Sequence, residues 1–223
     1  MTTSSTSSTS STSTVSTGST GERARNPRGE GDRLRLDLLD AAAELIAETG
    51  DVEKVSLRSV AHRVGVSPTA VYRHFDDHRS LLRAAVTHCW GEFAAALATA
   101  MQTSDDPHQR LRAMGTEYTR FAAEQHGKYT VLFSNTVDLR DDAGDSFGED
   151  AFSMLVGLVR AILDANDDDR DPYFVAVEVH TWIHGIVDLT CRNPTMDWPT
   201  LDELLDDMLV RLGLTASSSN GER

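Results

Sequence analysis

Hydrophobic residues recur at intervals of three and four along almost the whole chain after residue 31, and this helical periodicity constrains the fold more than any other feature. No convincing run of alternating apolar and polar residues predicts a strand. The predicted helices span approximately 32–49, 56–65, 67–74, 77–102, 107–125, 127–134, 148–165, 172–191 and 199–213. Because the connecting segments are short, the sequence predicts an all-α fold with a three-helix N-terminal unit followed by a compact helical bundle.

Both ends of the chain have the composition of disordered segments. The first 20 residues are almost entirely Ser and Thr, and the segment that follows is interrupted by Gly and Pro and contains several Arg. Segments with so few apolar groups cannot offset the entropy lost on ordering, so we expect residues 1–31 and 215–223 to be disordered. The predicted domains are then the three-helix unit, residues 32–78, and the bundle, residues 79–214.

The sequence also predicts the compartment of the protein. No segment combines a basic start with an apolar run, and none has the apolar length of a membrane helix, so we expect a cytoplasmic protein with no membrane partner. Cys89 and Cys191 lie far apart inside apolar helical patterns, and two such residues form neither a disulfide framework nor a zinc set. Both are predicted to be buried free thiols.

The net charge of −14 is distributed unevenly along the chain. Residues 21–83 contain 11 basic and 11 acidic side chains, whereas the residues after 83 contain 10 basic and 24 acidic side chains. An acidic protein can still bind nucleic acid, because the local field at the contact surface governs phosphate binding. The distribution predicts that any nucleic acid is bound by the neutral segment, residues 21–83.

The stretch RSVAHRVGVSPTAVYRHF, residues 58–75, has the features of two short helices joined by a tight turn. Ser56 is the predicted N-cap of the first helix, and Gly65 suits a turn that needs positive φ. Ser67 is the predicted N-cap of the second helix, and Pro68 occupies its first position, where a missing N–H costs nothing. This pattern is typical of a helix-turn-helix unit. The alternative is a buried helical hairpin with a polar outer face.

A helical wheel at 100° per residue divides the second helix into two sides. Three residues face inward and three face outward: Pro68, Val71 and Phe75 inward, and Thr69, Ala70 and Arg73 outward. The outer three are expected to meet base edges, since Thr and Ala contact the thymine methyl group and Arg binds guanine or phosphate. Tyr72 and His74 on the flanks, and Ser67 at the helix start, would donate to phosphates.

Several arginines precede this unit or lie at its beginning: Arg23, Arg25, Arg28, Arg33 and Arg35. One interpretation is a basic arm that reaches the adjacent minor groove of DNA, as disordered basic arms do elsewhere. The other is a soluble tail with no contact to DNA.

The stretches LLDAAAELIAETG and VSLRSVAHRVGVSPTAVYRHFDDHRSLLRAAV resemble the N-terminal DNA-binding domain of the TetR family of bacterial transcriptional regulators. The resemblance covers residues 33–86 and implies DNA contacts from Ser67, Thr69, Ala70, Tyr72 and His74. Many members hold a phosphate with a Lys at the start of the next helix, where this chain has His78 followed by Arg79. Neutral imidazole is a weaker anchor, so Arg79 is expected to substitute. The full set of predicted DNA-binding residues is Ser56, Arg58, Ser67, Pro68, Thr69, Ala70, Tyr72, Arg73, His74, His78 and Arg79.

The segment TWIHGIVDL, residues 181–189, resembles the ligand-binding domain type named for its Trp, His and Gly, here Trp182, His184 and Gly185. The resemblance implies a homodimer whose last two long helices form a four-helix interface, and a pocket in each subunit whose ligand releases DNA. A two-fold dimer reads two half-sites, so the predicted partner is double-stranded operator DNA with an inverted repeat. The predicted function is a repressor controlled by a small-molecule effector.

Aromatic and soft side chains are frequent after residue 86, and such residues wall ligand cavities that contain a few polar groups. The predicted ligand-binding residues are Trp90, Phe93, Met114, Tyr118, Phe121, Tyr129, Phe133, His180, Trp182 and His184. Phe152 and Met154 belong to the same wider aromatic and soft group, and the polar groups of the cavity are expected from Tyr118, His180, His184 and Asp188. The alternative is that aromatic residues at helical spacing form the core or the dimer interface.

His180, His184 and Asp188 lie nearly on one face of a predicted helix, a spacing that a metal ion can use. No fourth ligand is identifiable, and hydrogen-bonded histidines are the competing interpretation, so neither a metal nor a cofactor is predicted. The sequence contains no Gly-rich phosphate loop, nucleophile elbow or zinc spacing, and we expect no enzymatic activity. The alternative function is a helical adaptor that binds protein without sequence-specific DNA binding.

Overall fold

The computed structural model describes residues 30–49, 51–133 and 148–216, and every regular element in these ranges is helical. Within them the elements are α1 Glu30–Thr49, a 3-10 turn Val52–Lys54, α2 Leu57–Val64, α3 Pro68–Val71, α4 His78–Met101, α5 Pro107–Glu124, α6 His126–Phe133, α7 Glu149–Ala165, α8 Pro172–Arg192 and α9 Leu201–Arg211. The predicted all-α fold is confirmed. The predicted stop of α1 at Gly50 and most of both predicted tails lie outside the described residues.

Local signals fix both ends of α2. The Ser56 hydroxyl oxygen accepts the backbone N–H of Ser59 at 3.0 Å, and the Ser59 hydroxyl oxygen accepts that of Ser56 at 2.9 Å, which forms a reciprocal capping box. At the other end Gly65 has φ 78° and ψ 28°, a left-handed conformation that side chains with a Cβ rarely adopt. The chain turns sharply at this glycine, so α3 begins three residues later at Pro68.

Helix α3 is shorter than predicted. It ends at Val71 and continues as turns to His74, instead of forming one helix to that residue. Ser67 occupies the N-cap position, but its side chain makes no capping hydrogen bond. Pro68 is exposed, contrary to its inward place on the helical wheel. Helical side chains tilt toward the N-terminus, so the first residue of a helix has no preceding turn to cover it.

Two arginines of the predicted arm lie within α1. Arg33 and Arg35 are both helical and exposed, in agreement with the predicted helix 32–49, so these two are not part of a disordered arm or tail. The guanidinium carbon of Arg35 lies 4.8 Å from the centroid of the Phe75 ring, which is a cation–π contact between α1 and the segment after α3. The other three, Arg23, Arg25 and Arg28, lie outside the described residues.

The described helices pack around two hydrophobic clusters. The first cluster is formed mainly by α1–α3 and the first half of α4, which we call the head, and it fully buries Val60, Val71 and Leu81. The second cluster is formed mainly by the second half of α4 and by α5–α9, which we call the body, and it buries Phe93 and Ile162. The head and the body therefore share α4 as one continuous helix.

Helix α6 belongs to the body and also reaches the head. Val131 packs in the head cluster, whereas Tyr129 and Leu132 of the same helix pack in the body cluster. The backbones of α6 and α1 approach so closely that a Cβ atom added to Gly127 would lie 2.3 Å from the Cβ of Ala47. The absence of a side chain at residue 127 thus sets the distance between α1 and α6.

Both cysteines are free thiols. Cys89 is buried, and burial raises the pKa of its thiol to about 11, so this group is neutral and poorly reactive. Cys191 is only half-buried, which corrects the prediction that both are buried. None of the helices in the described ranges has the length and apolar character needed to cross a membrane.

Replacement of Gly127 by Ala is expected to lower the free energy of unfolding by about 1–3 kcal/mol, because the new methyl group must push α6 away from the backbone of Ala47. The matched control is Gly157→Ala on α7, where an added Cβ meets open space and should raise stability by up to about 1 kcal/mol. Urea denaturation followed by circular dichroism measures both. Equal effects of the two substitutions would contradict the close α1–α6 contact.

Candidate functional site

The outer side of α3 and the turn after it forms the first candidate surface. Val71 and Phe75 are buried in the head cluster, and they fix the orientation of the residues around them. Five of the predicted DNA-binding residues lie on this outer side: Thr69, Tyr72 and Arg73 are exposed, and Ala70 and His74 are half-buried. The Tyr72 side chain is 57% exposed, which is unusual for a large ring held by a rigid element.

The beginnings of α2 and α4 lie beside each other. Nε2 of His78, the first residue of α4, donates to the carbonyl oxygen of Val55, which directly precedes the N-cap of α2. This bond occupies Nε2 and turns it toward the protein, so Nε2 is not available for the predicted phosphate contact of His78. Three other predicted residues are exposed at these helix starts: Ser56, Arg58 and Arg79.

A cavity of about 530 Å³ lies inside the body, and its walls come from α4, the end of α6, and α5, α7, α8 and α9. The walls are largely apolar, and several aromatic rings meet edge to face. The ring centroids of Trp90 and Phe133 are 5.3 Å apart, and those of Phe93 and Tyr118 are also 5.3 Å apart. A volume of this size and an apolar lining are typical of small-molecule sites.

The structure brings six of the ten predicted ligand-binding residues to the cavity wall: Trp90, Phe93, Met114, Tyr118, Phe133 and His180. Phe121 packs against Phe93 in the core, and Tyr129 and His184 contact Tyr118 rather than the cavity. Trp182 is 40% exposed and does not line the cavity, because its neighbour Ile183 occupies the inward side of α8.

Sequence reasoning missed most of the wall that α7 and α9 supply. Glu149, Leu155 and Met208 line the cavity, and so does Phe152 from the wider aromatic group. The aliphatic members have the same helical spacing as core residues, so no local pattern distinguishes a residue that faces a cavity from one that faces another side chain.

Tyr118, Tyr129 and His184 form a polar network beside the cavity. The Tyr129 hydroxyl and Nδ1 of His184 form a hydrogen bond at 2.7 Å, and the Tyr118 hydroxyl oxygen lies 3.1 Å from the same nitrogen. Burial raises the pKa of both phenols, that of Tyr129 to about 12, and lowers the pKa of His184. The network therefore connects α5, α6 and α8 through neutral groups.

His180 is the polar group of α8 that faces the cavity. Its ring is stacked on that of His184, with centroids 5.9 Å apart and planes inclined by 17°. Burial, followed by the neighbouring His184, lowers its pKa, so the imidazole is neutral near pH 7. The side chain of His180 forms no hydrogen bond with the part of the chain that the structure describes, and its nitrogen atoms are available to a bound molecule.

The spacing of His180, His184 and Asp188 does not produce a metal centre in the described residues. Nδ1 of His184 is already hydrogen-bonded to the Tyr129 hydroxyl, and the Asp188 carboxylate pairs with Arg192 at 2.7 Å.

Asp40, His88 and Glu92 form the group of described residues whose ligand atoms all lie within 4.8 Å of one another. Nε2 of His88 lies 2.9 Å from the Asp40 carboxylate, and the ammonium group of Lys128 lies 2.8 Å from the Glu92 carboxylate. Since Lys128 already supplies a positive charge, we interpret the group as a polar network. It joins α1 of the head to α4 and to α6 of the body.

Two family models match the chain. The description "Bacterial regulatory proteins, tetR family" applies to residues 38–85, and "Tetracyclin repressor-like, C-terminal domain" applies to residues 111–212. A curated relative is the HTH-type transcriptional regulator BetI of Brucella canis, which is 30% identical over 97 residues, or 44% of this chain and 48% of that protein. The chain thus spans about half the length of the curated relatives it matches.

Solved structures with a similar fold cover most of the chain. The transcriptional regulator FadR from Bacillus subtilis, in complex with stearoyl-CoA, has a TM-score of 0.66 and 18% identity, and the match covers 79% of this chain and 96% of FadR. The SmeT–triclosan complex has a TM-score of 0.63 and 21% identity, and the match covers 86% of this chain and 98% of SmeT. At these identities the likeness shows the fold.

The lowered pKa values of His180 and His184 predict a pH dependence of stability. Below their ordinary pKa of 6.5 these side chains take up protons more readily in the unfolded chain than in the folded one, so stability falls as the pH drops below that value. His180→Leu should reduce this loss. Urea denaturation of both proteins at about pH 7.5 and about pH 5.5 measures it. Identical losses in the two proteins would contradict the burial of a neutral His180.

Proposed function

The chain belongs to the TetR family of bacterial regulatory proteins, and we propose that it is a repressor that binds an inverted-repeat operator as a homodimer and is released by a small-molecule effector. In this proposal residues 32–78 form the DNA-binding domain, residues 79–214 form the effector-binding and dimerisation domain, and the flanking segments are tails. The protein needs neither a cofactor nor a catalytic activity for this role, and it acts in the cytoplasm, where the operator DNA is.

The observation that carries the proposal is the outer side of α3. Thr69 and Arg73 are exposed there, while Val71 and Phe75 anchor the same short segment in the head cluster. Base readout requires side chains that project from a rigid element into the major groove. Thr69, Ala70 and Arg73 are therefore assigned to base edges, and Tyr72 and His74 to phosphates on the groove walls.

The adjacent starts of α2 and α4 support phosphate binding on either side of this segment. A helix N-terminus carries a partial positive charge, and the exposed Ser56 and Arg58 of α2 and Arg79 of α4 lie at two such ends. His78 acts indirectly in this proposal, since its bond to Val55 holds the two helix starts together. The phosphate role expected from the start of α4 thus falls to Arg79.

An apolar stripe on α8 supports homodimer formation. Phe174, Val177, Trp182 and Leu189 are exposed, and on a helical wheel they lie within a sector of about 140°. Gly185 lies in the middle of this sector, and a Cβ atom added to it would meet nothing within 4 Å in the same chain. A second copy of α8 can approach closely at this glycine and cover the stripe, as in a four-helix interface.

Effector control requires that the ligand bind two arrangements of the dimer with different affinity. Helix α6 links the cavity to the head. Its Phe133 lines the cavity, and its Val131 and Gly127 contact the head. We expect an effector to displace α6 and to change the angle between the two heads of the dimer. The distance between the heads would then no longer match the half-site spacing. FadR holds stearoyl-CoA and SmeT holds triclosan in similar folds, which supports a small-molecule effector here.

The experiment that tests the proposed function is selection of random duplex DNA by the purified protein, followed by binding measurements at several salt concentrations. An enriched inverted repeat with a steep salt dependence would support the regulator. Failure of a folded dimer to enrich any sequence would favour the protein-binding adaptor. Enrichment of a site without internal symmetry would contradict the homodimer.

Two substitutions on α3 are expected to affect operator binding differently. Thr69→Val should change the base preference at one position of each half-site by about 1–3 kcal/mol, because it removes a hydroxyl at the base edges. Tyr72→Phe should weaken binding to all sequences equally, because a phosphate contact carries no sequence information. Fluorescence anisotropy with single-base operator variants measures both effects.

The controls are Thr99→Val on α4 and Tyr173→Phe on α8, which change the same groups at exposed positions outside the head. If the α3 variants bind the operator variants as these controls do, the assignment of the outer side of α3 is wrong.

Leu189→Glu is expected to raise the dimer dissociation constant at least about tenfold, because it places a charge without a partner in the proposed interface. Operator affinity should fall with it, since one head alone binds a half-site weakly. Analytical ultracentrifugation gives the oligomeric state, and Ser153→Glu at an exposed position of α7 is the matched control. A Leu189→Glu protein that stays dimeric would exclude this stripe as the interface.

A further inference from the structure

The charged groups around the body cavity are distributed unequally. The described lining contains no lysine and no arginine, and its acidic residue is Glu149, which is exposed at the first turn of α7. Two basic residues of the wall helices form ion pairs with other helices. Arg112 of α5 pairs with Asp206 of α9 at 2.7 Å, and Lys128 of α6 pairs with Glu92 of α4 at 2.8 Å.

The polar groups that do face the cavity are uncharged. Burial raises the pKa of the Tyr118 phenol, and its hydroxyl is already engaged with His184 and Tyr129. His180 is neutral and retains both ring nitrogens for a ligand. A neutral imidazole offers one donor and one acceptor, so it can hold a hydroxyl or an N–H group.

We propose that this cavity accepts an uncharged, mainly apolar molecule with one hydrogen-bonding group that contacts His180, and that it rejects organic anions. An anion in the cavity would lose its hydration without gaining a cation, and burial of an unpaired charge is strongly unfavourable. The aromatic rings of Trp90, Phe93 and Phe133 offer edges and faces that suit an aromatic or aliphatic body. The inference rests on the proposed function, because it names the chemical class of the effector for the same cavity.

A cation is the less favourable alternative. The Glu149 carboxylate is exposed to water, so its attraction for a cation is screened. The cavity wall around His180 consists of neutral groups. The ring centroids within 5.9–6.3 Å of the His180 ring are those of Phe152, His184, Phe133 and Tyr118. A cation held there would lack a buried anion as partner.

Two fluorescent probes with the same skeleton test the inference. N-phenyl-1-naphthylamine is neutral and has one N–H group, and 8-anilinonaphthalene-1-sulfonate adds a sulfonate to that skeleton. The full chain should bind the neutral probe at least about tenfold more tightly, because that factor corresponds to about 1.4 kcal/mol and burial of an unpaired charge costs more. Decanol should displace the neutral probe more effectively than decanoate or decylammonium.

His180→Lys gives the second readout, because it places a cation on the cavity wall. It should weaken binding of the neutral probe and strengthen binding of the sulfonate, so that the ratio of the two affinities falls at least about tenfold. Ser153→Lys adds the same charge at an exposed position of α7 and should leave the preference unchanged. Equal responses of the two variants would show that the probes bind outside the cavity and would overturn the inference.

The remaining outcomes separate the inference from the proposed function. Tighter binding of the sulfonate by the unchanged protein, or displacement by decylammonium alone, would overturn the ligand class and leave a ligand-controlled regulator. Failure of both probes to bind a protein that still binds its operator would overturn the inference and the effector part of the proposed function, while the DNA-binding part would stand.

Discussion

The rest of the structure depends on the continuity of α4. Its first half contributes Leu81 and Val86 to the head cluster, and its second half contributes Phe93 and Leu97 to the body cluster. One 24-residue helix is therefore anchored by apolar burial in both clusters. Phe93, which lines the cavity, and Leu81, which packs in the same cluster as Val71 of α3, therefore belong to one helix.

Helix α6 adds a second connection at closer range. The Gly127–Ala47 approach allows no extra atom between α6 and α1, and the pair of Lys128 with Glu92 ties the same helix to α4. Exposed ion pairs contribute little to stability, but these groups are partly buried and belong to a network with Asp40 and His88. The head therefore contacts the body in two ways: α1 packs against α6 at Gly127, and Asp40 of α1 belongs to the polar network with α4 and α6.

The head and the body also differ in their charge. The acidic residues are concentrated after residue 83, whereas residues 21–83 have equal numbers of basic and acidic side chains, and the exposed arginines of the head form a surface suited to phosphate groups. The body uses neutral groups where it surrounds the cavity, and its ion pairs, such as those of Arg112 and Arg120, lie on exposed surfaces. An acidic body discourages binding of DNA at other faces, so the two surfaces can act without interference.

The sequence by itself determined the helices, the N-cap at Ser56, the left-handed turn at Gly65 and the resemblance to the TetR family, because these depend on residues within one or two helical turns of each other. Only the tertiary structure decided that His78 bonds to Val55, that Trp182 lies outside the cavity, and that Asp40 meets His88 across 48 positions. Such contacts depend on how helices pack, and helical periodicity shows which side of a helix is buried but not what it is buried against.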